Sequence, residues 1–314
     1  TATIGLVALP EMRSRGYSDA LATGTVAAGG TLGQMVPPSG ALIVFGIIAE
    51  QSIGKLFTAT LIPGLTQMLF YAGVVWLLTR WRPGMAPATQ RASWAERWRA
   101  LGRIADMIAL LGLVLGGIVL GWFSPSEASS IGTAGALAIT AWRGRLTRAV
   151  LLRAFSETLR TSGLIFLVII GAMVFSVFIS VTGLTDAVGQ GVTGLHLGAV
   201  PTVLLVALLL LVLGSVLDGL ALMLLTTPIL LPVVEHVGMS PIWFGIFITR
   251  AMEIGFVHPP LGMNLYVIQG VARDVPIGRI FKGVVPFLCS DLVHLLLLIL
   301  FPAMAMWLPG VLGQ

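Results

Sequence analysis

The sequence predicts an all-α integral membrane protein, built as an inverted-topology repeat with two discontinuous helices and re-entrant helical hairpins. Three observations lead there. The composition suits lipid rather than water, a set of Gly, Pro and Ser residues recurs at a fixed spacing, and the basic residues gather in a few loops.

Of the 314 residues, 57% are hydrophobic and 10% are charged, and the mean hydropathy is +0.99. A soluble domain carries about 25% charged residues, so this chain cannot clothe its surface in polar side chains. Apolar stretches of about 20 residues, the length that crosses a bilayer, recur at 58–79, 104–122, 161–182 and 284–308. The net charge of +5 points at first to nucleic acid. The basic residues, however, lie in short loops between spans with no aromatic–basic surface, which is the pattern of membrane orientation. Cys289 is the one cysteine, so neither an internal disulfide nor a cysteine metal site can form.

Pro10, Gly16, Ser18, Gly33, Pro37, Pro38 and Gly40 each recur 222 positions later, as Pro232, Gly238, Ser240, Gly255, Pro259, Pro260 and Gly262. These are the residue types that set backbone geometry, so the match describes a repeated structure rather than a shared composition. After a two-residue insertion the likeness resumes, with Ile53-Gly54 against Ile277-Gly278 and Phe57 against Phe281. Thr1 falls inside an apolar run, with no charged segment before it. The first copy is therefore expected to be incomplete at its start, since Thr1 aligns with Met223.

Charge orients the copies. Eleven of the 18 Lys and Arg residues fall in 80–103 and 143–160. The spans 104–122 and 125–142 read as a hairpin turning at Ser124-Pro125-Ser126-Glu127, which puts both basic loops on one side, cytoplasmic by the positive-inside rule. Counting outward, span 58–79 runs inward, 20–49 and 161–182 run outward, and the loop around 186–197 is outside. The run 199–235 is interrupted by Gly214-Ser215-Val216-Leu217-Asp218-Gly219. Read as a re-entrant hairpin rather than a crossing, it sends 242–272 inward and delivers Arg273, Arg279 and Lys282 to the cytoplasm. The two copies then have opposite orientations, which is a transporter signature. The organisation expected is a first repeat over 1–80, a scaffold over 81–160 and a second repeat over 161–314. Trp94 and Trp98 among the arginines of 91–103 read as an interfacial amphipathic helix, with 148–160 as a second candidate.

The double prolines sit where the chain must otherwise be helical, so each copy breaks there. Gly30, Gly33, Pro37, Pro38, Ser39 and Gly40 crowd the first break; Gly255, His258, Pro259, Pro260, Gly262 and Asn264 crowd the second. Unwound backbone at mid-membrane exposes carbonyls and half-helix ends that can hold Na⁺ or a carboxylate; the plainer reading is a pair of kinks. Asp218, before Gly219 at the hairpin tip, is a lone carboxylate in an apolar run, and so either an ion ligand or the cap of the returning helix. Thr226 satisfies backbone or assists an ion. Glu253 and His258 flank the second break, His258 as a packed side chain or a proton relay. Asp106, Glu127, Asp186 and Asp291 read as interfacial. No H-E-x-x-H, G-x-S-x-G, phosphate loop or Cys/His cluster occurs, so an enzyme is not expected and no cofactor is called for.

The stretches ALATGTVAAGGTLGQMVPPSGALIVFGIIAEQSIGKLFTATLIPGL (20–65), FSPSEASSIGTAGAL (123–137), LDGLALMLLTTPILLPVV (217–234) and WFGIFITRAMEIGFVHPPLGMNLYVIQGVA (243–272) resemble the large membrane subunit of tripartite ATP-independent periplasmic (TRAP) transporters. The resemblance implies an elevator-type importer of organic anions such as carboxylates or sialic acid. It implies Na⁺ as coupling ion, and a small membrane subunit and a periplasmic substrate-binding protein as partners in a bacterial inner membrane. It places ion sites between the hairpin tips and the broken helices, here Leu217-Asp218-Gly219, Gly33 to Gly40 and Gly255 to Asn264. Against the family pattern, scaffold helices and part of a first hairpin are expected to be missing, and His258 stands where a small hydroxyl residue is common. A divalent-anion/Na⁺ symporter without a binding protein is the alternative, and an ion channel a further one.

This topology predicts that single cysteines placed in 183–198, after replacement of Cys289, react with an impermeant maleimide from the periplasm. Cysteines in 80–103 and 143–160 should react from the cytoplasm. Modification of positions 190 and 90 from one side would overturn it.

Overall fold

The computed structural model describes residues 1–87, 93–194 and 197–313, and among them every regular element is a helix. Arg91, in the expected amphipathic segment, lies outside the described residues, as does the side chain of Asp186. In chain order the helices are α1 (Ala2–Ser14), α2 (Asp19–Gly29), α3 (Leu32–Met35), α4 (Gly40–Ile48), α5 (Ile53–Trp81), α6 (Trp94–Arg103), α7 (Ala105–Val119) and α8 (Pro125–Trp142). They continue as α9 (Arg148–Thr182), α10 (Leu184–Gly194), α11 (Ala199–Gly214), α12 (Gly219–His236), α13 (Pro241–Val257), α14 (Met263–Val271), α15 (Ile277–Leu300) and α16 (Ala303–Val311). Helices α5, α9, α12 and α15 are long and apolar enough to cross a membrane, and two bent pairs, α2–α3 with α4 and α6 with α7, pass the same test together.

The repeat is visible in the elements themselves. Helix α2 opens at Asp19 and α13 at Pro241, and each is capped by the serine before it, whose hydroxyl accepts from Leu21 N or Ile242 N. The glycines two positions ahead of those serines, Gly16 and Gly238, have φ of 85° and 82°, a left-handed conformation that L side chains rarely adopt. Pro37-Pro38 and Pro259-Pro260 are both cis, and α5 and α15 begin at the matched residues Ile53 and Ile277.

The chain divides into two compact units, Thr1–Ala88 with Val174–Gln314, and Thr89–Met173. In the first, α13 is the axis. Every residue from Ile242 to Gly255 is buried, under α3, α4, α5, α11, α12, α14, α15 and α16. Trp243 stacks on Phe247 at 4.9 Å and donates its indole N–H to the Leu298 carbonyl at 3.1 Å, and Phe45 of α4 meets Phe244 edge-on at 6.0 Å. Helices α11 and α12 pack on each other across the turn Ser215 to Asp218. At one end Arg13 pairs with both Asp19 and Asp274, and Arg279 with Asp19. The Arg13 guanidinium holds the Asp274 carboxyl below its ordinary value. In the second unit α7 packs on α8. Ser124 and Glu127 form a reciprocal cap that opens α8, and Asp106 pairs with Arg143 at 2.7 Å.

Three expectations are corrected. The segment 148–160 is not a separate amphipathic helix but the start of the 35-residue α9, because no Gly or Pro interrupts 148–162. The apolar run 284–308 is not one span: Pro302 has no N–H to continue the ladder, so α15 ends at Leu300 and α16 begins at Ala303. The loop 186–197 is largely helical, as α10, set off from α9 by Gly183 at φ 66°.

Helix α15 crosses α2 at its closest point between glycines. A Cβ on Gly24 would lie 2.2 Å from the Gly283 carbonyl oxygen, and one on Gly283 would lie 2.1 Å from that of Ala20. Gly283→Val should therefore force the helices apart and cost about 1–3 kcal/mol, the usual range for overpacking. That loss is read as a lower melting temperature of the purified protein, and an unchanged melt would contradict the crossing.

Candidate functional site

Each proline of the two pairs deprives the carbonyl four residues earlier of its helical donor; at Gln34 a side chain takes that donor's place, and other bonds tie down the backbone on either side of each break. At the first break, the Ser39 hydroxyl donates to the Gln34 carbonyl and accepts from Leu42 N, so one side chain closes one helical segment and caps the next. Thr60 of α5 donates to the Met35 carbonyl at 2.7 Å. At the second break His258 ends α13, its carbonyl accepts from Gly262 N at 2.9 Å, and Tyr266 donates to the Pro260 carbonyl at 2.8 Å. Asn264 then reaches across to α2 and donates to the Ala27 carbonyl at 3.3 Å. That carbonyl lies where α2 gives way to α3, since Thr31 N bonds Ala28 instead.

The hairpin tip lies against the second broken helix. Gly255 touches the Gly214 carbonyl so closely that a Cβ would sit 2.5 Å from it, and one on Gly219 would sit 2.4 Å from the Met252 side chain. Asp218 caps α12, accepting from Leu220 N at 3.0 Å, and remains exposed. Helix α12 also packs on α4. The structure thus gathers Pro37, Pro38, Ser39, Gly40, Asp218, Gly219, Gly255, His258, Pro259, Pro260, Gly262 and Asn264 around α13 and its immediate neighbours. Gly30 ends α2 against Thr1, and Gly33 lies in α3. Thr226 spends its hydroxyl on the Leu222 carbonyl of its own helix, at 2.7 Å.

Glu253 is engaged elsewhere. Arg250, fully buried, holds it at 2.9 Å, Asp291 at 2.6 Å and His294 Nδ1 at 3.1 Å. An arginine Nε–H only donates, so Nδ1 accepts, and His294 carries its proton on Nε2, 3.0 Å from Thr66 Oγ1 of α5. Gln67 and Tyr71 of α5 bond each other at 3.2 Å and are likewise buried. Asp291 is therefore not interfacial: it lies inside α15, 1% exposed, because a carboxylate can enter the core once a guanidinium meets it. Arg250, Asp291 and His294 were missed as a set. The signal was there, since Arg250 is the one basic residue in the apolar run 241–257, and an intramembrane charge needs a partner. With Glu253 spoken for by Arg250 and Gly255 by the Gly214 contact, the candidate ion ligands are the break segments and Asp218.

Apolar spanning helices, two matched breaks and a tip converging on a buried axis define a multi-pass integral membrane protein of the transporter class. The model of the family described as tripartite ATP-independent periplasmic transporter, DctM component, matches residues 1–304, and the chain belongs to that family. It is similar to the C4-dicarboxylate TRAP transporter large permease protein of Rhodobacter capsulatus, 31% identical over 99% of this chain and 73% of the relative. It is also similar to the sialic acid TRAP transporter large permease protein of Vibrio cholerae, 32% identical over 98% and 71%. The isethionate TRAP transporter permease protein of Oleidesulfovibrio alaskensis is 32% identical over 98% of this chain, which spans only 48% of that relative. These relatives are transporter permeases, and the chain is a transporter component rather than an enzyme.

Removing the cation from the buried cluster isolates two carboxylates. Arg250→Met should cost about 3–5 kcal/mol, the range for a broken buried pair, and appear as a large loss of folded protein. Combining it with Glu253→Gln and Asp291→Asn should recover most of that loss. Failure of the triple variant to recover would show that packing, not charge, sets the cost.

Proposed function

We propose that this chain is the permease of a Na⁺-coupled secondary transporter, importing organic anions across a bacterial inner membrane. In this reading a periplasmic binding protein delivers the anion, and a small membrane subunit completes the assembly. Membership of the family supports the partners, and the dicarboxylate, sialic acid and isethionate relatives share an anionic substrate.

The observation that carries the reading is the gathering of both proline breaks and the Asp218 tip around α13. A half-helix N-terminus, that of α4 behind Ser39, presents a positive dipole end to an anion. Proline-freed carbonyls and the Asp218 carboxylate offer oxygen to a hard cation such as Na⁺. Both requirements are met on segments that pack against α13. Movement follows the elevator pattern, in which the two repeats are inverted and the site travels intact, because unwound backbone cannot be exposed to hydrocarbon. Sodium couples by binding one of the two states more tightly than the other.

Asp218 is both cap and charge, and two substitutions separate these roles. Asp218→Ala should abolish Na⁺-dependent uptake of the complex in proteoliposomes while expression stays near normal. Asp218→Asn keeps a capping side chain and should lose uptake to the same extent. Uptake within about twofold of wild type in Asp218→Asn would reduce the residue to a cap.

A further inference from the structure

The second compact unit carries a feature that anion transport does not use. Along α6, Trp94, Trp98 and Leu101 are exposed at helical spacing, while Arg97, Arg99 and Arg103 supply charge. The helix contains one carboxylate, Glu96, and it is turned backwards: Ser93 N donates to it at 2.8 Å and Ser93 Oγ at 3.0 Å. The cap that starts the helix thereby takes away its acid. Asp106, just beyond, is occupied by Arg143. Among the described residues no carboxylate pairs with Arg97, Arg99, Arg103 or Arg145.

The end of α8 adds to the same region. Arg143 donates to the Arg103 carbonyl at 2.9 Å as well as to Asp106, so the residues that follow α8 lie beside the α6–α7 joint. Trp142 is 86% exposed, and Arg145 follows. Arg97 lies over the Trp94 ring at 4.9 Å, which orients a guanidinium alongside the aromatic surface. Indole rings favour the headgroup level of a bilayer, and guanidinium groups fork onto phosphate oxygens.

We propose that this face, α6 with the α8 end, binds the headgroups of anionic phospholipids, with the arginines on phosphate and Trp94, Trp98 and Leu101 among the upper acyl chains. Anionic rather than zwitterionic lipid follows from the charge count. A zwitterionic headgroup brings its own cation into a region where the protein's acids are already paired. Each guanidinium near an anionic surface contributes about 1 kcal/mol, about fivefold in affinity.

The test uses the full chain in nanodiscs of phosphatidylcholine doped with phosphatidylglycerol, at equal mole fractions of a brominated form of one or the other lipid. Brominated phosphatidylglycerol should quench tryptophan emission more than brominated phosphatidylcholine, and rising salt should shrink the excess. In the triple variant Arg97→Gln, Arg99→Gln, Arg103→Gln the excess should vanish, while circular dichroism and α7–α8 stability stay as in wild type, since all three side chains are exposed. Trp94→Ala with Trp98→Ala should lower total quenching without removing the preference in what remains. Equal quenching by the two lipids in the wild type, or an excess that survives the triple variant, would overturn the proposal.

Discussion

A backbone carbonyl surrounded by hydrocarbon has no water to turn to, so a chain that unwinds inside a membrane must bring its own donors. The proline pairs make this demand twice. Ser39 meets it from the next helix, Thr60 from α5 and Tyr266 from the far side of the second break, while Asn264 does the same for α2 where that helix gives way to α3. Thr60 lies 25 residues from the carbonyl it serves and Asn264 lies 237 from its own, so local bonds alone do not close these segments. The first break in particular needs α5 beside it, since Thr60 is its donor to Met35.

The packing has two grades. Where helices must come closest, glycines remove the side chain, as at Gly24 with Gly283 and at Gly214 with Gly255. Where a full charge enters the core, a network meets it: Arg250 reaches a carboxylate of its own helix, a carboxylate and an imidazole of α15, and through His294 the Thr66 hydroxyl of α5. One planar side chain with several N–H donors fixes the rotation of three helices about their axes, which no set of leucines would do. The second break begins only a few residues beyond it, so the strut stands where the helix is about to lose its own hydrogen bonds.

What the sequence made legible was whatever is encoded locally. Gly16 and Gly238 must be glycine for their backbone angles, Ser18 and Ser240 cap helices, and prolines break them, so a spacing of such residues is a spacing of structures. The helix 125–142 was readable for the same reason, from Ser124, Pro125 and Glu127. The Arg250–Asp291 pair joins residues far apart in the chain and leaves no period to detect; only the cost of a lone charge hinted at it. The join between 148–160 and 161–182 was misread because composition changes there while helix propensity does not. A shift from arginine-rich to apolar residues marks a change of solvent, not the end of a helix.

That last distinction has a geometric consequence for α9. At about 1.5 Å per residue, its 35 residues make a rod of about 52 Å, against about 30 Å of hydrocarbon. The apolar part, 161–182, accounts for about 33 Å and fills that thickness. The remaining 20 Å or so, about a third of the length, carries Arg148, Arg153 and Arg160, side chains suited to headgroups and water rather than hydrocarbon. A single helix thus carries a length suited to hydrocarbon and a length suited to water, and the change of solvent it is built for falls between two of its turns rather than at an end.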